Sequence, residues 1–234
     1  MQMCICDTLI DIEEMDGLCY ISPWSEFIIR AMPRRLQNMT VCDYGSGTGI
    51  ISIVSILKGA SFVVAIERDA TFRTLTEKNY NHNFSNNKLK IYKSSAQLSE
   101  AEYIDYIFCN PACYPSSVGM DSFFHAGEMG IDMICEVFSF ASKALKKTGY
   151  LLILIPSILP TSLIFEELSI RNLSAKMTES IYVPLRMNLA CAITQWVDNK
   201  KRIYPEMNYF EIGGTLSEKV NLYEISRSPC METF

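Results

Sequence analysis

Three clusters in this chain combine residue types and spacings suited to chemistry. The first is the run Asp43-Tyr44-Gly45-Ser46-Gly47-Thr48-Gly49, which directly follows a β-branched stretch and precedes the aliphatic run Ile50 to Leu57. Glycines at alternate positions let a backbone turn sharply and approach a ligand, and the helix start beyond offers N–H groups. A dinucleotide fingerprint would need glycine or alanine where Ile50 stands, and a P-loop would need a lysine that the run lacks. The second cluster is Glu67-Arg68, with Glu67 24 positions after Asp43. Glu67 reads either as a ligand-facing acid or as an ordinary solvated strand end beside Arg68 and Asp69. The third is Asn110-Pro111-Ala112-Cys113-Tyr114-Pro115. An Asn-Pro pair commonly ends a strand, yet ligand chemistry on open α/β sheets gathers at the carboxyl ends of strands.

The elements that must position these clusters follow from periodicity. From Asn38 to Pro156, short β-branched runs alternate with helical patterns, the mark of βαβ units on a parallel sheet. Strands are expected at Thr40 to Tyr44, Ser61 to Glu67, Leu89 to Tyr92, Tyr103 to Cys109 and Tyr150 to Ile155. Helices are expected at Ile50 to Leu57, Ala70 to Asn83 and Gly130 to Lys146, the last closed by Lys147-Thr148-Gly149. A helix from Ser25 to Leu36, ended or interrupted near Pro33, precedes the first strand. After Pro160 the rhythm changes to a helix at Leu163 to Arg171, a strand at Lys176 to Leu185, a mixed stretch at Arg186 to Tyr209 and a final strand at Lys219 to Ser226. A turn at Gly213-Gly214 suggests antiparallel pairing, and Asn188 to Lys200 reads as either helix or strand.

The spacing Asp43-x-Gly45-x-Gly47-x-Gly49 resembles motif I of class I S-adenosylmethionine-dependent methyltransferases. The resemblance implies an α/β, Rossmann-like sheet of seven strands, mostly parallel with an antiparallel C-terminal strand and helices on both faces. It implies that residues 43–49 hold the amino-acid end of S-adenosyl-L-methionine, whose product is S-adenosyl-L-homocysteine, and that Glu67 accepts hydrogen bonds from the ribose hydroxyls, with Arg68 beside it. Ser95 stands where the family often has an acid against the adenine amine. Asn110-Pro111-Ala112-Cys113-Tyr114 resembles the Asn-Pro-Pro-Tyr motif of the HemK-like N-methyltransferases, with alanine and cysteine at the third and fourth positions and the tyrosine one residue late. That likeness gives Asn110 and Pro111 the task of orienting an acceptor NH2 group, and Tyr114 that of covering it. Tyr20-x-x-Pro23-x-x-Glu26 resembles the element that precedes motif I there, which adds Tyr20 and Glu26 to the cofactor side. His125-Ala126-Gly127-Glu128-Met129-Gly130 resembles the Gly-x-x-Gly segment that follows the acceptor motif.

Composition bounds the partners. With 21 lysines and arginines against 26 acids, the net charge of −5 lacks the basic stripe of a protein that grips phosphate backbones. A small-molecule or protein amide or amine acceptor is therefore favoured over nucleic acid. Nine cysteines, an odd number without paired knuckles, and only His82 and His125 indicate neither a disulfide framework nor a metal site. Asp7, Asp11, Glu13, Glu14 and Asp16 interrupt the N-terminus, and the longest apolar run, Tyr150 to Ile155, is too short to span a bilayer. A cytoplasmic protein with no membrane partner is expected.

The expected organisation is an N-terminal segment, residues 1–37, that covers the cofactor site, then a methyltransferase domain at 38–234. Residues 186–210, with Trp196, Tyr204, Tyr209 and Phe210, form either a substrate cap or ordinary core. The leading function is N-methyl transfer. The alternatives are an O- or C-methyltransferase, in which His125 or another group deprotonates the acceptor, and a non-catalytic partner subunit of the same fold.

Overall fold

The computed structural model describes residues 2–5, 8–15, 20–98, 104–118 and 125–228. Asp7, Asp16 and Tyr103, which entered the expectations above, lie outside the described residues. The chain divides into two compact units, Met1–Asn110 with Lys143–Leu152, and Pro111–Ser142 with Ile153–Phe234.

The first unit opens with a hairpin of β1 (Gln2–Ile5) and β2 (Thr8–Asp11), followed by α1 (Pro23–Ala31). It continues through β3 (Thr40–Tyr44), α2 (Ile50–Leu57), β4 (Phe62–Ile66), α3 (Ala70–Asn83), β5 (Leu89–Tyr92) and β6 (Ile104–Cys109), then takes in the first part of β7 (Leu145–Pro156). The strand order is β5-β4-β3-β6-β7, with β3 parallel to β4 and β6, and β4 parallel to β5. Val41 to Tyr44 and Val63 to Ile66 are all buried, as parallel strands covered on both faces must be. Helix α2 is buried from Ile50 to Ile56, so its aliphatic residues face protein on every side. Each such isoleucine contributes about 1.5–3 kcal/mol by leaving water. Helix α1 starts where Ser22 caps it by accepting from the Ser25 N–H with Pro23 next, and stops before Pro33.

The second unit holds the end of β7, most of α4 (Asp132–Ala144), α5 (Thr161–Ile170), β8 (Leu173–Pro184), α6 (Ala190–Lys200), β9 (Phe210–Ile212) and β10 (Thr215–Arg227). Its strand order is β7-β10-β8, with β9 also on β10, and β10 runs antiparallel to β8 and β9. The seven expected strands are thus present, joined by the short β9, and the C-terminal strand is antiparallel as expected. The Gly213-Gly214 turn joins β9 to β10.

Two expectations need correction or completion. Lys147-Thr148-Gly149 does not close a helix, because α4 ends at Ala144 and these residues already belong to β7. The Lys146 ammonium pairs with Asp105 at 2.7 Å, and Gly149 lies so close to β6 that a Cβ would sit 2.9 Å from the carbonyl oxygens of Ile104 and Asp105. That approach to β6 overrides the local stop signal. The ambiguous stretch from Asn188 to Lys200 forms α6, whose buried Ile193, Trp196 and Val197 follow helical spacing. Gly149→Val should overpack this strand crossing and lower stability by about 1–3 kcal/mol, read as a lower urea midpoint with an unchanged m-value.

Candidate active site

Register decides which residues meet. Tyr44 pairs with Ile66 of β4 and with Cys109 of β6, so Gly45, Glu67 and Asn110 each follow the last paired position of their strands. With neighbouring strands about 4.8 Å apart, Glu67 and Asn110 flank Gly45 at a separation of roughly 10 Å. Ile66 also pairs with Tyr92, which brings Ser95, in a short 3-10 turn at Ser95–Gln97, to the same edge of the sheet. The sequence-predicted cofactor loop, acid and acceptor asparagine therefore share one edge of the first unit.

The glycine loop is held from three sides. Gly45 donates its N–H to the Ile66 carbonyl at 2.7 Å, and Gly47 donates to Glu67 Oε2 at 3.1 Å. Glu67 Oε1 also accepts from Asp69 N–H at 2.9 Å. A carboxylate oxygen can accept more than one bond, so the acid keeps capacity for a ligand hydroxyl. Burial raises the Glu67 pKa, and the bonds from Asp69 and Gly47 oppose that rise. Gly49 caps α2 at φ +80°, and a Cβ there would lie 3.0 Å from the Thr76 methyl, so both conformation and space call for glycine.

Support from α3 and α2 was missed in the sequence. Ser46 Oγ and Thr76 Oγ1 are 2.8 Å apart, Thr76 Oγ1 donates to the Gly47 carbonyl at 2.9 Å, and Asn79 Nδ2 donates to the Thr48 carbonyl at 2.8 Å. The buried face of α3 is Phe72, Leu75, Thr76, Asn79 and Tyr80, a helical stripe whose polar members were the available signal. Ser46, Thr48 and Tyr44 are themselves buried, so among these residues Gly45 and Gly47 are the partly exposed ones. Beneath them Asp43 is fully buried, and its Oδ2 accepts from the Ser52 N–H at 2.9 Å and the Ser52 hydroxyl at 2.6 Å. Its Oδ1 has no hydrogen-bond partner among the described residues. Burial raises the Asp43 pKa from 3.8 to about 7, against the lowering effect of both Ser52 bonds. Two serines, Ser52 and Ser55, interrupt the aliphatic run of α2, and only the fold puts the first of them on Asp43.

Asn110 is half-buried, and its Nδ2 donates to Ser25 Oγ at 3.2 Å. In that contact Ser25 accepts, and the Asn110 Oδ1 remains as an acceptor. Ser25, buried in the first turn of α1, is thus the α1 residue on Asn110, while the expected Glu26 beside it is exposed. Tyr20 is 39% exposed and Arg68 is exposed, so neither is enclosed by protein.

In the second unit, Tyr114 donates from its hydroxyl to Glu218 Oε1 at 3.3 Å. Glu218 is 1% exposed, its Oε2 has no hydrogen-bond partner among the described residues, and burial pushes its carboxyl up to about 8 against the lowering effect of the Tyr114 bond. Burial, then the Glu218 charge, also holds the Tyr114 phenol well above its ordinary range. The Tyr114 backbone forms a bridge with His125, and Ala126 N–H donates to the Tyr114 carbonyl at 3.0 Å. Glu128 is not at a helix start, since α4 begins at Asp132, and it pairs with Lys200 of α6 at 3.1 Å. Within residues 186–210, Trp196 is core at 8% exposure, while Tyr209 donates to Asp198 at 3.1 Å. Among the described residues, no group of three or more His, Cys, Asp or Glu side chains is placed to hold a metal, and no helix is long and apolar enough to cross a membrane.

Residues 27–112 match the family model described as ribosomal protein L11 methyltransferase (PrmA). A ribosomal protein L11 methyltransferase of Prochlorococcus marinus is 37% identical over 79 residues, which is 32% of this chain and 26% of that protein. A tRNA1(Val) (adenine(37)-N6)-methyltransferase of Shewanella baltica is 29% identical over 89 residues, 36% of this chain and 37% of the relative. The match thus spans between 26% and 37% of the length of these curated relatives. Among solved structures, the E. cuniculi Mtq2–Trm112 complex, responsible for methylation of the eRF1 termination factor, aligns at TM-score 0.56 and 16% identity, covering 88% of this chain and 96% of that one. The shared architecture is the class I methyltransferase fold.

The raised Asp43 carboxyl has a signed consequence. Between about pH 4 and 7 the folded chain binds more protons at this group than the unfolded chain does, so its contribution to stability falls as pH rises, by up to roughly 1.4 kcal/mol per pH unit. Glu218 adds the same sign between its ordinary value of 4.5 and about 8. Asp43→Asn should flatten part of this limb in urea unfolding measured across pH, and an unchanged slope would assign the titration to another group.

Proposed function

We propose that this chain, which has the class I methyltransferase fold, transfers a methyl group from S-adenosyl-L-methionine to an amide or amine nitrogen of a small molecule or protein side chain. The observation that carries this reading is Asn110, which follows its strand at the same level as Gly45 and Glu67, with its amide nitrogen on Ser25 Oγ.

The donor groups present fit that cofactor. The partly exposed backbone of Gly45 and Gly47 would take the amino-acid end, Glu67 the ribose hydroxyls, and Ser95 would stand on the adenine side, with Arg68, Tyr20 and Glu26 at the rim. The buried, unpartnered Asp43 Oδ1 adds an acceptor under the loop. When bound, the cofactor supplies an electrophilic methyl on a sulfonium with a good leaving group, so no strong base is required.

The chain's part is orientation. Asn110 Oδ1 and the Pro111 carbonyl accept hydrogen bonds from the acceptor NH2, which turns its conjugated lone pair into line and favours a developing tetrahedral nitrogen. Tyr114 covers the acceptor in this reading, with its hydroxyl fixed by Glu218 as the positioning group. Residues 1–37 serve as the cover of the cofactor side, in a cytoplasmic protein.

Transfer of a radiolabelled methyl group should be assayed on glutamine-containing peptides, small amines and adenine-containing RNA. Asn110→Ala should lower transfer on the order of 10²-fold while calorimetric binding of S-adenosylhomocysteine persists. Ser25→Ala should give a smaller loss, because the amide then lacks this protein partner. Undiminished transfer by Asn110→Ala, or a product methylated on oxygen or carbon, would falsify the nitrogen mechanism.

A further inference from the structure

Two asparagines of α3 bind the N-terminal chain as a neighbouring strand would. Asn83 Nδ2 donates to the Asp11 carbonyl at 2.7 Å, and its Oδ1 accepts from the Asp11 N–H at 2.9 Å. Asn79 repeats the arrangement one helical turn earlier, donating to the Glu13 carbonyl at 2.9 Å and accepting from the Glu13 N–H at 2.9 Å. A carboxamide carries both a donor and an acceptor, so each side chain imitates a peptide group of an adjacent strand.

The spacing explains why two such contacts fit. Four residues along a helix rise about 6.0 Å, and two residues along an extended chain advance about 6.7 Å. Asn83 and Asn79 therefore stay in step with Asp11 and Glu13. Between and beside these anchors, Ile12 and Ile10 turn inward and are 0% and 2% exposed. Lys78 pairs with Glu13, and His82 lies 3.6 Å from Asp11, which adds charge contacts along the same seam.

Asn79 has a second attachment. Its Nδ2 also donates to the Thr48 carbonyl at 2.8 Å, inside the glycine loop, and the residue is 2% exposed. One buried amide thus holds the N-terminal chain and the loop together, while Asn83 donates to the Asn79 carbonyl at 2.7 Å and braces the same turn.

We propose that Asn79 and Asn83 are positioning residues for the cofactor, coupling the chain at Asp11 to Glu13 to the glycine loop. This rests on the reading of residues 43–67 as the cofactor site. A ligand that orders the loop then steadies the N-terminal chain, and release of that chain weakens the ligand by the same factor, since coupling between two sites is reciprocal.

The test uses the full chain with S-adenosylhomocysteine as the probe. Asn83→Ala removes both bonds to Asp11 without touching a bond to the glycine loop, and it should weaken calorimetric affinity by about five-fold. Asn79→Leu should weaken it further. In the wild type, the probe should slow hydrogen exchange at the Asp11 and Glu13 amides more than at the amides of β8, and Asn83→Ala should abolish that difference. Wild-type affinity in Asn83→Ala overturns the coupling, as does exchange at Asp11 and Glu13 that ignores the probe in the wild type. Failure of the wild type to bind the probe overturns the cofactor reading itself, and the coupling with it.

Discussion

Tyr44 pairs with Ile66 on one side and Cys109 on the other, so three parallel strands release their chains at one level. Everything placed at that level is brought together without long side chains: a glycine loop with partly exposed backbone, an acid beside it, and an asparagine on the far side. Parallel strands need crossovers, and the short α2 supplies one whose burial on all sides leaves it little freedom to shift. Precision at the edge of the sheet thus derives from burial beneath it.

The polar groups under this edge are maintained against their own desolvation. Asp43 is fully buried and is answered by Ser52, while Thr76 and Asn79 turn the buried face of α3 toward loop carbonyls. Each neutral bond of this kind contributes about 1 kcal/mol net, whereas a buried polar atom left without a partner costs about 1–3 kcal/mol. An aliphatic core would be easier to stabilise. What these bonds secure is the shape of a loop that has few side chains of its own to hold it.

In the second unit, the tyrosine that follows the Asn-Pro pair is held in a different way. Tyr114 is tied to Glu218 on β10, a residue 104 positions away that meets it only because β10 returns antiparallel along β8. A buried carboxyl and a phenol sharing one hydrogen bond both resist ionisation, because each would place charge in a site that water does not reach. The altered Asn-Pro-Ala-Cys-Tyr stretch therefore has a tyrosine with a defined partner, rather than one set only by its position in a motif.

The amino-acid sequence determined the strands, their alternation with helices and the residues at the carboxyl ends of the parallel strands. β-branched runs, glycines and an Asn-Pro pair are local signals, and a parallel sheet leaves few ways to arrange them. Local signals failed where the deciding contact was distant. Lys147-Thr148-Gly149 reads as a helix stop, but Asp105 and the close approach of β6 draw it into a strand. Ser25 at Asn110, Ser52 at Asp43, Asn79 at Thr48 and Glu218 at Tyr114 were decided by tertiary structure alone. A hydrogen bond between residues nine to 104 positions apart depends on register and helix rotation, and neither quantity is carried by the identity of the two residues that make it.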